Sequence, residues 1–103
     1  MTEATRIRTQ TMGDKTIVRV LMSHEMESGQ RKDAAGKIVP AWYIQEVSVT
    51  LNEKIVLVAE FGPSVSKNPY LQFVIKSAKS GDKLALTWKD NKGEVRTDSA
   101  LVS

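Results

Sequence analysis

Apolar side chains recur at every second position in six stretches of this chain, the spacing of strands that bury one face and expose the other. The stretches are Thr16–Ser23, Tyr43–Leu51, Lys54–Phe61, Tyr70–Lys76, Lys83–Lys89 and Glu94–Val102, and they are rich in β-branched residues. Ala4–Arg8 is expected to add a seventh strand at an edge. No stretch carries the period of an amphipathic helix. Regular short strands with turn signals between them predict an all-β fold: an immunoglobulin-like, fibronectin type III-like antiparallel β-sandwich of about seven strands.

The punctuation between strands has its own physical logic. Asn52-Glu53 joins two strands tightly, Ser80-Gly81-Asp82 opens another, and Asp90-Asn91-Lys92-Gly93 sets a glycine where a positive φ costs little. From Gly62-Pro63 to Asn68-Pro69 two prolines remove ladder donors and fix φ, which predicts an irregular crossover between sheets. The longest connection, His24–Ala41, far exceeds a hairpin loop, and long ordered loops tend to be functional. Within it Asp33-Ala34-Ala35-Gly36 has the form of a type I turn, so Gln30–Lys32 and Lys37–Val39 are expected to pair as a small arm that gathers Arg31, Lys32 and Lys37.

Reading every second residue gives a core of Val18, Val20 and Met22; Tyr43, Val47, Val49 and Leu51; Ile55, Leu57 and Ala59; Leu71, Phe73 and Ile75; and Leu84, Leu86 and Trp88. The other phase is less polar than a solvated face should be. Trp42 with Ile44, Val56 with Val58, and Ile17 with Leu21 fall on it. Contiguous exposed apolar groups mark partner surfaces, which makes Trp42, Ile44, Val56 and Val58 candidate partner contacts; cover by loops or by the N-terminal segment is the alternative.

At 103 residues the chain supports one core and therefore one domain, residues 1–103. Its 41% apolar and 26% charged content places it outside the disordered regime. Lys and Arg exceed Asp and Glu by 15 to 12, but the cations are scattered from Arg6 to Arg96 without a basic block, which argues against nucleic acid. Residues Met1–Gln10 are polar with no apolar signal core, and no apolar run is long enough to span a membrane, so the chain is not expected to direct its own export.

There is no cysteine, which removes disulfides, thiolate nucleophiles and cysteine-ligated metals together. His24, Glu25 and Glu27 form the only local group of potential metal ligands, but a second histidine at ligand spacing is missing, and no metal is expected. No nucleophile elbow accompanies the single histidine, and Gly81 and Gly93 are isolated turn glycines rather than a phosphate loop. No cofactor and no catalytic residue are expected.

The run Leu21-Met22-Ser23-His24-Glu25-Met26-Glu27-Ser28-Gly29-Gln30-Arg31-Lys32-Asp33 resembles the signature loop of the SoxZ family, His-Pro-Met-Glu followed by Ser/Thr-Gly-Gln-Arg and a nearby Asp. The likeness continues in Gly36-Lys37-Ile38-Val39-Pro40, in Val65-Ser66-Lys67-Asn68-Pro69-Tyr70, and in Thr87-Trp88-Lys89-Asp90 with Gly93, and so spans nearly the whole chain. The resemblance implies a non-catalytic subunit of a thiosulfate-oxidation carrier complex, paired with a SoxY-like subunit whose cysteine bears the sulfur intermediate. It implies a periplasmic location reached by co-export with that partner, and transient contact with sulfur-oxidation enzymes. His24, Glu27, Ser28, Gly29, Gln30, Arg31, Lys32, Asp33, Asn68 and Pro69 become the motif and recognition residues. One departure stands out: Glu25 occupies the place of the family's proline, which frees φ, restores an amide donor and adds a negative charge. Two other classes compete with this reading, a generic immunoglobulin-like interaction module and an enzyme acting on sulfur anions.

Overall fold

Alternation is clearest in the strand Lys15–Leu21, where Thr16, Val18 and Val20 are buried while Lys15, Arg19 and Leu21 face out. The computed structural model describes residues 4–103, and across them seven strands form in chain order: β1 Arg6–Met12, β2 Lys15–Leu21, β3 Ile44–Leu51, β4 Lys54–Glu60, β5 Tyr70–Lys76, β6 Lys83–Asp90 and β7 Val95–Leu101. They make two antiparallel sheets, three-stranded β1-β2-β5 and four-stranded β4-β3-β6-β7, stacked as an immunoglobulin-like sandwich. The Gly62–Pro69 crossover carries the chain from one sheet to the other, and its prolines, which lack an amide donor, keep it out of either ladder.

The core lies between the central strands. Val18 and Val20 of β2 meet Ile44, Val47 and Val49 of β3 and Leu84, Leu86 and Trp88 of β6, with Met22 and Met26 closing one end. Residues from the edges, among them Ile7, Leu57, Leu71 and Phe73, pack against this cluster and are only partly buried, because an edge strand has a neighbour on one side only.

Two bulges correct the period-two reading. Between β3 and β6, Ile44 pairs with Asp90 and Glu46 with Lys89, so Gln45 is an extra residue. Its insertion turns Ile44 inward, and Ile44, expected at the partner surface, is fully buried. Between β3 and β4, Val49 pairs with Leu57 and Thr50 with Ile55, leaving Val56 extra. Ile55, expected in the core, is therefore carried outward and is 64% exposed. The N-terminal edge strand also runs later than expected, Arg6–Met12 rather than Ala4–Arg8. Gly13, at φ +64°, and Asp14 turn it directly into β2, with Met12 opposite Lys15.

The tight β3–β4 turn places both Asn52 and Glu53 at positive φ, 50° and 70°, the signature of a type I′ hairpin whose second position favours glycine. Glu53→Gly should remove the strain of a branched-off side chain in the left-handed region, offset in part by a looser unfolded chain, for a net gain of about 0.5–1 kcal/mol. Thermal unfolding of the variant measures this, and an unchanged or lowered midpoint would contradict it.

Strand directions bring the β2–β3 loop, the β4–β5 crossover and the β6–β7 turn to one end of the sandwich. The motif residues His24–Asp33, Asn68 and Pro69 gather there, while Val56 and Val58 stay on the outer face of β4.

Candidate functional site

Beyond β2 the chain is fastened to the crossover by the backbone. The Met22 amide donates to the Pro69 carbonyl (2.9 Å) and the Asn68 amide to the His24 carbonyl (3.0 Å), while the Asn68 side-chain oxygen accepts from the His24 amide (3.1 Å). Asn68 does this at φ 53°, a left-handed conformation that asparagine tolerates better than most residues. Further out, Glu27 and Trp42 exchange both backbone hydrogen bonds (2.6 and 2.9 Å). The expected arm follows: Lys32 bridges Ile38, the Asp33 and Val39 amides donate to the Lys37 and Arg31 carbonyls (2.8 and 2.7 Å), and Gly36 closes the turn on Asp33 (3.0 Å). The Asp33 carboxylate accepts from the Ala35 and Lys37 amides (2.9 and 3.0 Å), which is why an aspartate opens this turn.

Under the arm sits a buried polar node. The Met26 amide donates to His24 Nδ1 (3.0 Å), so the ring proton resides on Nε2 and is donated to Asp90 Oδ2 (3.1 Å). Trp42 Nε1 donates to the same oxygen (2.7 Å), and Asp90 Oδ1 accepts from the Lys92 and Glu94 amides (3.0 and 2.9 Å). The His24 ring meets Trp42 and Trp88 edge-on, at centroid distances of 5.0 and 5.2 Å. Burial alone would raise the Asp90 carboxyl, but the hydrogen bonds from His24, Trp42 and the two amides outweigh it and hold the group below its ordinary range. Asn91 adds a clamp, accepting from the Tyr43 amide (2.8 Å) and donating to the Ala41 carbonyl (2.8 Å), and Lys92 Nζ lies 4.5 Å over the Trp42 ring.

This arrangement is a lock: both ring nitrogens of His24 and both oxygens of Asp90 are engaged within the protein. Nearby carboxylates are committed too. Glu27 takes a bidentate fork from Arg31 (2.6 to 3.2 Å), whose hydrogen bond holds the Glu27 carboxyl below its ordinary value, and Glu25 lies 3.4 Å from Lys67. Among the described residues no group of three or more His, Cys, Asp or Glu side chains is placed to hold a metal ion.

The motif residues therefore divide. His24 is buried at the base of the loop, and Asn68 and Pro69 form its joint to the crossover. Ser28, whose hydroxyl accepts from the Gln30 amide (3.2 Å), and the exposed Gln30, Arg31, Lys32 and Asp33 belong to the arm. Gly29 is required twice over: its φ is +87°, and a Cβ would stand 3.1 Å from that of Ala41. Of the four candidate partner contacts, Val56 and Val58 are exposed, at 41% and 55%, Trp42 is half-buried with its indole N–H turned inward, and Ile44 belongs to the core. In the sequence Asp90 and Asn91 read only as turn residues, and the one signal of their part in the node is Asp90 at the end of the family-like stretch Thr87–Asp90.

The protein-family model described as "Sulphur oxidation protein SoxZ" matches residues 5–101. No curated protein matches the chain. Among solved structures, a hypothetical protein from Pyrococcus horikoshii OT3 is similar with a TM-score of 0.70 at 19% identity, covering 99% of this chain and 89% of that one. A superoxide reductase in the oxidized state gives 0.66 at 18% identity over the same shares. A superoxide reductase (neelaredoxin) from Ignicoccus hospitalis gives 0.68 at 16% identity, covering 99% and 80%. At these identities the likeness is one of fold.

Proposed function

Because this chain belongs to the SoxZ family of sulphur oxidation proteins, we propose that it is the non-catalytic subunit of a two-chain sulfur carrier, scaffolding a SoxY-like partner whose cysteine bears the sulfur intermediate. The observation that carries the pairing is the outer face of the four-stranded sheet. Two of its cross-strand rows read Val58-Ser48-Thr87-Thr97 and Ile55-Thr50-Ala85-Ser99, with no charge in either. Val56, Val95 and Leu101 extend the exposed apolar surface. The charges of this face lie at its ends, Glu60, Glu46 and Lys89 in the row that finishes at Val95 and Lys83 beside Leu101, and the uncharged rows between them suit a specific partner better than water.

The ordered arm over the His24 node then serves recognition by visiting enzymes. Its exposed cations favour acidic or anionic surfaces, and the lock beneath it holds the arm in place before any partner arrives. The absence of cysteine supports a role in which sulfur is carried on the partner alone. The pair works in the periplasm, which this chain reaches together with its partner.

Co-expression with the cysteine-bearing subunit tests the reading. The wild-type pair should co-elute at micromolar concentration, with more than ~1,000 Å² buried between the chains. Val56→Asp with Val58→Asp should abolish co-elution while leaving the melting temperature of the isolated chain within about 3 °C of wild type, since both side chains are exposed. After exposure to thiosulfate and the pathway enzymes, intact mass should show the adduct on the partner. An adduct on this chain, or a double variant that pairs like wild type, would contradict the reading.

A further inference from the structure

The cations that look scattered in the sequence converge on the other sheet. On the outer face of β1-β2-β5, cross-strand rows place Arg6 with Leu21 and Tyr70, Arg8 with Arg19 and Gln72, and Met12 with Lys15 and Lys76. Among the described residues no outward strand position on this face carries a carboxylate. Arg8 stands directly opposite Arg19, an arrangement of like charges that costs stability. Among the described residues the only relief is one long hydrogen bond from Arg19 Nη1 to Gln10 Oε1 (3.4 Å), and none of the three arginines has an acidic partner there.

Arg6, Arg8 and Arg19 line a cleft of about 250 Å³ together with Val20, Leu21 and Tyr70. Tyr70 is 57% exposed, its hydroxyl bonded only to neighbouring Gln72 (3.0 Å). Guanidinium groups around an aromatic and an aliphatic side chain are the composition of a protein-binding centre. The charge extends beyond it, because Lys15 and Lys76 lie about 20 Å along the strands from the row of Arg6, by a rise of ~3.3 Å per residue.

We propose that this face docks an acidic protein segment, which seats an apolar or aromatic side chain against Leu21 and Tyr70 while its carboxylates engage Arg6, Arg8 and Arg19. A small oxyanion would use the guanidinium groups but leave the apolar wall wet and the distant lysines idle. A polynucleotide would use the cations but gain little from the aliphatic positions between them. Bidentate guanidinium–carboxylate pairs supply geometry, and the wider field supplies steering that weakens with salt. The sheet concerned is the one that carries none of the partner face described above, so either proposal can fail alone.

The full-length chain, labelled with 15N, is titrated with a capped Asp-Glu-Phe-Glu-Asp peptide and with its Asn/Gln counterpart. Amide shifts should concentrate at residues 6–8, 19–21 and 70–72, and only for the acidic peptide. Affinity should fall about tenfold or more in the Arg6→Gln, Arg8→Gln, Arg19→Gln variant and less than about twofold in Lys54→Gln, Lys83→Gln, Lys89→Gln, which loses the same charge elsewhere. The arginine variant should melt at or above the wild-type temperature, since it loses a like-charge pair; if it fails to fold, the wild-type shift map and its salt dependence decide. Shifts scattered over the surface, or equal weakening in both variants, would overturn the proposal in favour of net charge alone. Displacement of the peptide by thiosulfate or sulfate beyond that of chloride at matched ionic strength would overturn it in favour of a small-anion site. Tighter binding of a deoxythymidine 12-mer on the same residues would overturn it in favour of nucleic acid.

Discussion

Trp88→Ala is expected to destabilise the protein by about 3–5 kcal/mol, a large part of the ~5–15 kcal/mol that holds a domain of this kind together. Trp88 has no exposed surface; it sits on β6 between Val47 of β3 and Arg96 of β7 and reaches across the core to the edge of the His24 ring. Truncation removes the largest fully buried side chain, and the two sheets cannot close over the void without giving up their ladders. The cost comes from packing. The indole N–H finds no acceptor within the protein, so Trp88→Phe forfeits no hydrogen bond and should retain most of the stability. Urea unfolding of the three proteins checks this: a loss below about 1 kcal/mol for the alanine variant would mean that the core is not organised around β6.

What the sequence could convey depended on whether neighbours along the chain were neighbours in space. Alternation in β2, β5 and β6 was legible because each strand keeps one phase from end to end, so Val18, Phe73 and Leu86 point where the pattern says. The turn at Asp33–Gly36 was legible because an aspartate that caps its own turn acts within four residues. A bulge has no such signature. Gln45 and Val56 are ordinary strand residues, and only the pairing with β6 and β3 reveals that each is supernumerary, which is how Ile44 and Ile55 exchanged places between core and surface.

The site was harder still, since its central contact joins residues 66 positions apart. Histidine in a long loop suggested a surface role, whereas its partner is an aspartate that reads locally as the start of a hairpin turn. The same separation hid the basic face. Arg6, Arg8 and Arg19 form no cluster in the chain, and it takes the β1–β2 register to set them side by side, while Arg31, which did look available in the sequence, is held by Glu27. Charge that is dispersed along strands can be concentrated on a sheet, because alternation sends every second residue to the same side.

Asp90→Ala should cost about 3–5 kcal/mol and dissolve the node, because it leaves the buried His24 donor and the partly buried donors of Trp42, Lys92 and Glu94 without their acceptor. Asp90→Asn separates charge from shape. A carboxamide keeps one oxygen, which can serve the two turn amides or the two ring N–H groups but not both, and its NH2 would face donors. His24 cannot offer Nε2 as an acceptor by changing tautomer without turning a proton against the Met26 amide. The asparagine variant should therefore suffer most of the alanine loss despite its matching volume. The acid limb of stability distinguishes this cause from simple packing. The folded Asp90 carboxyl titrates below its unfolded value of about 3.9, so its contribution is fully present above about pH 5 and is lost as pH falls through the depressed folded value. Asp98, raised by burial but held low on balance by Arg96 and Thr5, remains in both proteins and gives each a residual slope. Unfolding free energy measured from pH 7 down to pH 3 should fall more steeply for the wild type than for Asp90→Asn, so that the two curves converge toward acid. Parallel curves would show that the carboxylate is not what the node depends on.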